Sequence, residues 1–258
     1  MLFRSIEEIA ENETDGGEIV VSGAIVARLP ANHGFLLEER ADLDTGIGKI
    51  YRVLDGPRLP QLKPLDRRYP IPYAEDFYAG LMDYQARMHD EALARHLADK
   101  YLQQKVVVLI DRENAESEEH EISIFNLLSF SALMKDIGMR LLPAAAMEVK
   151  VAGTLRIYVF DDARDALEFA RAFRREFGRY DIGCRAGIDA GPVLVFDLPE
   201  GGKDIAGNPV NIASKMSQDK GRFGRLYLSA AMKDLVDVSE FSEIRYTVSG
   251  VELKVYEG

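Results

Sequence analysis

The sequence predicts a mixed α/β fold, and three observations carry that prediction. Residues 104–258 alternate short β-branched runs with stretches of helical periodicity. The composition is globular, 47% apolar and 29% charged. Segments near the N-terminus also echo strand-like segments near the C-terminus.

The elements follow in order. Leu2, Ile6, Ile9 and Ala10 give a short helical pattern, then Asp15-Gly16-Gly17 a turn, and Glu18 to Ser22 a strand. Phe35 to Glu39 and Lys49 to Leu54 are two further strand candidates. Residues 57–72 hold five of the ten prolines (Pro57, Pro60, Pro64, Pro70, Pro72) and read as an extended linker. From Ala74 to Gln103 the positions Phe77, Leu81, Tyr84, Met88, Leu93, Leu97 and Tyr101 keep helical steps. They predict one amphipathic helix, either packed on the adjacent domain or pairing with a second copy.

The buried-strand run Val106 to Ile110 ends at Asp111. A helix is expected over Glu118 to Ile137, on Ile122, Phe125, Leu128 and Leu133. A hairpin follows from Glu148 to Phe160, turning at Gly153, and Asp161-Asp162 cap a helix to Phe177. A strand pair is expected to bracket Asp189-Ala190-Gly191-Pro192, with a loop at Glu200 to Lys203. Asn208 and Pro209 suit the cap and first position of a helix. Strands at Arg225–Leu228, Glu243–Val248 and Glu252–Tyr256 close the unit.

The repeat aligns Gly17 to Ala24 with Gly224 to Ala231, and Gly48 to Val53 with Val251 to Tyr256. The expected organisation is a partial copy over 1–56, a Pro-rich linker and helix over 57–103, and a complete domain over 104–258. A half-domain must bury its strands against the complete domain or another chain.

Charge and composition exclude several classes of function. The 258 residues carry 32 Lys and Arg against 43 Asp and Glu, a net charge of −11. Nucleic acid and anionic membrane surfaces are therefore not expected partners. The single cysteine, Cys184, rules out an internal disulfide framework. No apolar run approaches the ~20 residues of a membrane span, and the start turns acidic too early for a signal peptide. A cytoplasmic location is the expectation.

The most informative stretch is Lys203-Asp204-Ile205-Ala206-Gly207-Asn208-Pro209-Val210-Asn211-Ile212-Ala213-Ser214-Lys215-Met216. It resembles the loop-and-helix motif of class III adenylate and guanylate cyclases, roughly Y-D-x-x-G-x-x-V-N-x-A-x-R-M. Val106 to Asp111 is similar to that family's first strand, which ends in a metal-binding aspartate. Lys150-Val151-Ala152-Gly153-Thr154 is similar to its K-x-x-G-D hairpin, and Ser249 to Tyr256 to its closing strand. The resemblance covers residues 104–258. It implies a ferredoxin-like fold, an antiparallel sheet with helices on one face, and a site formed between two facing domains.

The resemblance also implies roles. Asp111 matches the first metal aspartate, and Thr154 stands where the second should be. A neutral hydroxyl supplies no charge for Mg²⁺ or Mn²⁺. Glu113 or Asp161 are possible substitutes, and Asp111 could instead be a strand-end aspartate beside Arg112. Lys150 and Asp204 match the base-reading pair. A lysine donor and an aspartate acceptor complement adenine N1 and N6, whereas guanine presents the reverse pattern. Asn211 and Lys215, four apart on one helix face, match the ribose-orienting asparagine and the phosphate-facing arginine. Lysine lacks the arginine's planar fork. The bland alternatives are a solvated strand lysine, a loop aspartate and a surface helix cation. His33, His89, His96 and His120 show no metal-ligand spacing.

Three functions compete. One is a degenerate cyclase-like protein that binds ATP or another purine nucleotide, or regulates, with little or no cyclase activity of its own. Another is an active adenylate cyclase whose metal site is completed by a partner domain. The third is a dimerisation module without ligand. A homodimer, or pairing with another cyclase-like domain, is expected.

Overall fold

A computed structural model of the chain describes residues 9–10, 14–40, 48–58, 73–88, 90–112, 120–219, 221–248 and 251–258. Residues 59–72 of the linker expected at 57–72 and most of the first helical pattern lie outside the described residues. The chain divides into two compact units, Met1–Arg68 and Tyr69–Gly258.

The first unit holds β1 (Val20–Ser22), a single turn α1 (Gly23–Val26), β2 (Leu36–Glu39) and β3 (Ile50–Asp55). Its sheet runs β1-β3-β2, antiparallel throughout.

The second unit begins with two helices, α2 (Glu75–Ala86) and α3 (Glu91–Tyr101), where the periodicity predicts one. The break has a local cause. Asp90 caps α3, its carboxylate accepting from the Ala92 and Leu93 amides at 3.0 Å, and so starts a new helix inside a continuous apolar pattern. Phe77 and Tyr101 bury against Phe196, with the Phe77 and Phe196 rings stacked at 4.8 Å. These helices therefore pack on their own unit through the predicted stripe, while Met88 is left exposed.

There follow β4 (Leu102–Arg112), α4 (His120–Leu141), β5 (Met147–Ala152), β6 (Leu155–Phe160), α5 (Ala163–Gly178) and β7 (Cys184–Asp197). After them come β8 (Lys203–Ala206), α6 (Asn208–Ser214), β9 (Leu226–Ser229), β10 (Ser242–Val248) and β11 (Val251–Glu257). The sheet order is β10-β11-β9-β7-β4-β6-β5, with β8 added to β7. Every pairing is antiparallel except β7 with β9, which is parallel.

Asp162 caps α5 as expected, accepting from the amides of Arg164 and Asp165. The helix lays Phe169, Phe173 and Phe177 on one stripe, over Val106, Val108, Ile110, Ala186 and Ile188. Helix α4 adds Met134 and Ile137 to the same core. Phe125 and Leu128, expected to face that core, are 74% and 62% exposed. The helix runs on to Leu141 and anchors by its second half. Nor do all helices share one face. Ala213 of α6 joins Val107, Leu109, Val193 and Val195 on the opposite side.

No turn interrupts Asp189 to Pro192. These residues lie inside β7, which pairs with β4 from Cys184 to Leu194. Proline is tolerated there because β9 pairs only with residues 186–188 and β8 only from Leu194 onward. The expected loop is turn and bend from Glu200 to Gly202, with Lys203 already the first residue of β8, and α6 takes Gly207 rather than Asn208 as its cap, with Asn208 as its first residue.

The three closing strands of the second unit repeat the arrangement of the first. Their order is β9-β11-β10, against β1-β3-β2. Ser22 pairs with Ile50 and Val21 with Tyr51, as Ser229 pairs with Val255 and Leu228 with Tyr256. Lys49 and Glu39 form an ion pair at 2.8 Å, and so do Lys254 and Glu243. On the closing strand the equivalence lies two residues from the sequence echo: Tyr51 matches Tyr256, not Lys254.

Cys184 is buried under α5, and burial pushes its thiol up to about 12, with Arg174 pulling the other way. Since the thiolate is the reactive form, native protein at pH 8 is expected to resist an aromatic disulfide reagent and to react with it once unfolded in guanidinium. Rapid labelling of the folded chain would contradict this packing.

Candidate functional site

Asp111 is the last aspartate of β4, and its neighbours in the sheet decide what it can do. On one side it stands opposite Leu155 of β6, and on the other opposite Arg185 of β7. Side chains directly opposite on one face of a sheet are within reach of each other. The Arg185 guanidinium donates to Asp111 Oδ2 from Nη2 at 2.7 Å and from Nε at 3.1 Å. The hydroxyl of Thr154, in the β5–β6 turn, donates to Asp111 Oδ1 at 2.7 Å. Both carboxylate oxygens are thus engaged, and the pair is largely out of water, with 6% of the Asp111 side chain and 16% of that of Arg185 exposed.

Arg185 is held on its far side as well. Its Nη1 donates to the Gly221 carbonyl at 2.6 Å, and its guanidinium lies 4.5 Å from the centre of the Phe223 ring. A wide helical turn over Lys215–Asp219 follows α6 and leads toward Gly221.

Arg112, the sequence neighbour considered as a partner for Asp111, points to the other face. It lies buried near Phe130 and donates to the Leu127 carbonyl at 3.4 Å. Asp161, a possible substitute ligand, follows the end of β6 and pairs with Lys105, toward the opposite end of β4. Six residues of strand put it about 20 Å from Asp111. Glu113 lies outside the described residues.

Lys150 and Asp204 come together. Lys150 Nζ donates to Asp204 Oδ2 at 3.3 Å. In sheet order β6, β4 and β7 separate their strands. A bulge in β5 between Glu148 and Lys150 bends that strand. The sheet curls until β5 and β8 meet beside the core of Val107, Leu109, Ile157 and Val193. The Lys150 side chain is 53% exposed and that of Asp204 22%. Such a pair contributes little to stability, so both groups can exchange each other for a ligand at small cost. Asp204 Oδ1 is oriented by the Ile205 amide at 2.8 Å.

Asn211 is exposed on α6, and Lys215 is half-buried at its end. The helix lies close on β7, because a β-carbon at Gly187 would stand 2.1 Å from the Ala213 carbonyl oxygen. At the other end, a β-carbon on Gly207, at φ 153°, would stand 3.0 Å from the Pro192 carbonyl oxygen.

Asp189, on β7, is the other buried aspartate among the described residues. Burial raises its pKa, and the Ser229 hydroxyl bonded to it pulls the other way.

Two carboxylates are the donor set that a Mg²⁺ or Mn²⁺ site of the resembling family needs. The residues gathered here are one carboxylate with both oxygens taken, one hydroxyl and one guanidinium, and they do not fit a divalent cation. Arg185 is the residue that sequence reasoning missed. The available signal was the alternation in β7, where Cys184, Ala186 and Ile188 face one core and Arg185, Gly187 and Asp189 the other side.

No family model and no curated protein matches the chain. Among solved structures it is similar to the catalytic core of a rhodopsin-guanylyl cyclase with converted specificity in complex with ATPαS. That match has 21% identity and a TM-score of 0.48, and covers 60% of this chain and 97% of that one. It is also similar to a dimeric guanylyl cyclase domain of the RhoGC fusion protein from the aquatic fungus Blastocladiella emersonii, at 20% identity and TM-score 0.49, covering 60% and 95%. A third is the adenylyl cyclase CyaB from P. aeruginosa, at 19% identity and TM-score 0.48, covering 60% and 93%. Among the described residues no helix is long and apolar enough to cross a membrane.

Proposed function

We propose that this chain is a degenerate class III nucleotidyl cyclase-like protein that binds ATP in a regulatory role and has little or no cyclase activity of its own. The observation that carries the reading is the Lys150–Asp204 pair at 3.3 Å. Two residues 54 positions apart are brought together by different strands, β5 and β8, at a place that solvent reaches. An adenine edge replaces each partner with a matching one, N1 accepting from Lys150 and N6–H donating to Asp204. A guanine edge leaves both mismatched. Asn211 and Lys215 then serve ribose and phosphate, Lys215 as a point charge rather than a fork. The family's site forms between two domains, so the working form is a homodimer or a pair with another cyclase-like domain.

Residues 1–56 are, in the same reading, a partial copy of the closing half of the domain at 104–258, joined through 57–103. The shared strand order, register and Lys–Glu ion pair support this.

Calorimetric titration tests the function. ATP is expected to bind more tightly than GTP, and Lys150→Ala or Asp204→Ala to weaken ATP by about 10-fold or more, since each leaves a base hydrogen bond unmade. No cyclic AMP is expected above background with Mg²⁺ or Mn²⁺. Turnover that Asp111→Ala abolishes, or ATP binding indifferent to both replacements, overturns the reading.

A further inference from the structure

We infer that Arg185 is the resident cation of this site, closing it to divalent metal independently of the missing carboxylate. The inference rests on reading Asp111 as a former metal ligand. Its content is different, since the loss of an aspartate at position 154 leaves a site weakened but open, whereas an arginine seated on Asp111 fills it.

The geometry supports the filled site. A hard divalent ion needs lone pairs on carboxylate oxygen. At Asp111 Oδ2 they face two guanidinium N–H groups at 2.7 and 3.1 Å, and at Oδ1 the Thr154 hydroxyl at 2.7 Å. The guanidinium cannot simply swing aside. Its third contact is the Gly221 carbonyl at 2.6 Å, its flat face meets Phe223, and its strand position is set by ten further β4–β7 register pairs. An arginine stays protonated at any physiological pH, so the charge is permanent. Asp111 and Arg185 sum to zero where a metal site presents net negative charge. A carboxylate restored at position 154 would find Arg185 already there and join it.

The arrangement therefore separates two substitutions that simple degeneracy treats as one. Mn²⁺ binding to the full-length, nucleotide-free chain is followed by electron paramagnetic resonance, a readout that needs neither ATP nor activity. The parent and Thr154→Asp are expected to bind Mn²⁺ equally weakly. Thr154→Asp combined with Arg185→Gln is expected to bind at least about 10-fold tighter, as a pair of carboxylates freed from their counter-ion. A gain from Thr154→Asp alone that equals the double variant's overturns the inference. So does tight binding by the parent, or no gain in a folded double variant.

A measurement on the unaltered protein covers the case in which the double variant does not fold. The Arg185 Nε–H resonance in ¹⁵N-labelled protein is expected to be protected and to keep its intensity in millimolar Mn²⁺. Selective broadening of it overturns the proposal. Failure of ATP to bind would remove the nucleotide reading and leave these metal results as they stand.

Discussion

Asp111→Ala is expected to destabilise the protein by about 3–5 kcal/mol, because it strands a buried guanidinium without its counter-ion. For a unit of this size that lowers the melting temperature by roughly 10 °C. The sign matters more than the amount. Where carboxylates cluster around a metal position, removing one relieves repulsion and leaves the apoprotein as stable or more so. Here, among the described residues, the carboxylate is the counter-ion of Arg185, which reaches it through two N–H groups. Asp111→Asn keeps an acceptor for Thr154 and is expected to fall between the two. Arg185→Met placed on Asp111→Ala should recover most of the loss, since the buried charge goes with it. Chemical unfolding followed by circular dichroism gives all four values. An Asp111→Ala variant within about 0.5 kcal/mol of the parent, the range of an ordinary surface change, would show that no such pair exists.

Gly187→Val is expected to be at least as damaging, above about 4 kcal/mol, which belongs to the small class of severe single substitutions. A β-carbon at this position would lie 2.1 Å from the Ala213 carbonyl oxygen and 3.0 Å from its carbon. Both are backbone atoms of α6, so no rotamer change relieves the clash and the helix must leave the strand. Val193, Val195 and Leu109 would lose their cover, and Asn211 its position. Gly187→Val should accumulate as insoluble protein or melt far below the parent. Gly178→Ala, where a β-carbon meets nothing within 4 Å, serves as the control. A soluble Gly187→Val protein within about 1 kcal/mol of the parent would mean that α6 does not approach β7 this closely.

Much of the fold was legible because local rules write it. The apolar run Val106 to Ile110, the Asp162 cap, the Phe169–Phe173–Phe177 stripe and the Gly153 turn each reflect interactions within a few residues. Errors arose where a local signal met a distant constraint. Pro192 looked like a turn, but an edge of β7 left open at that point accommodates it. Phe125 and Leu128 have the right spacing for a core and lie outside it, since periodicity fixes a face without saying what lies opposite. The stretch 74–103 read as one helix because Asp90, a capping residue, sits between apolar positions that keep their step.

The sequence by itself singled out Lys150 and Asp204 as a pair, and determined that position 154 lacks a carboxylate. It also showed the echo of Gly17 to Ala24 in Gly224 to Ala231, while the second echo lay two residues from the equivalence of the strands. Only the tertiary structure decided what Asp111 faces. That depends on the register of β4 against β7 across 74 residues, and a shift of one position would have turned Arg185 to the other side of the sheet. The meeting of β5 and β8 is likewise invisible in composition, since three strands separate the lysine from the aspartate in sheet order.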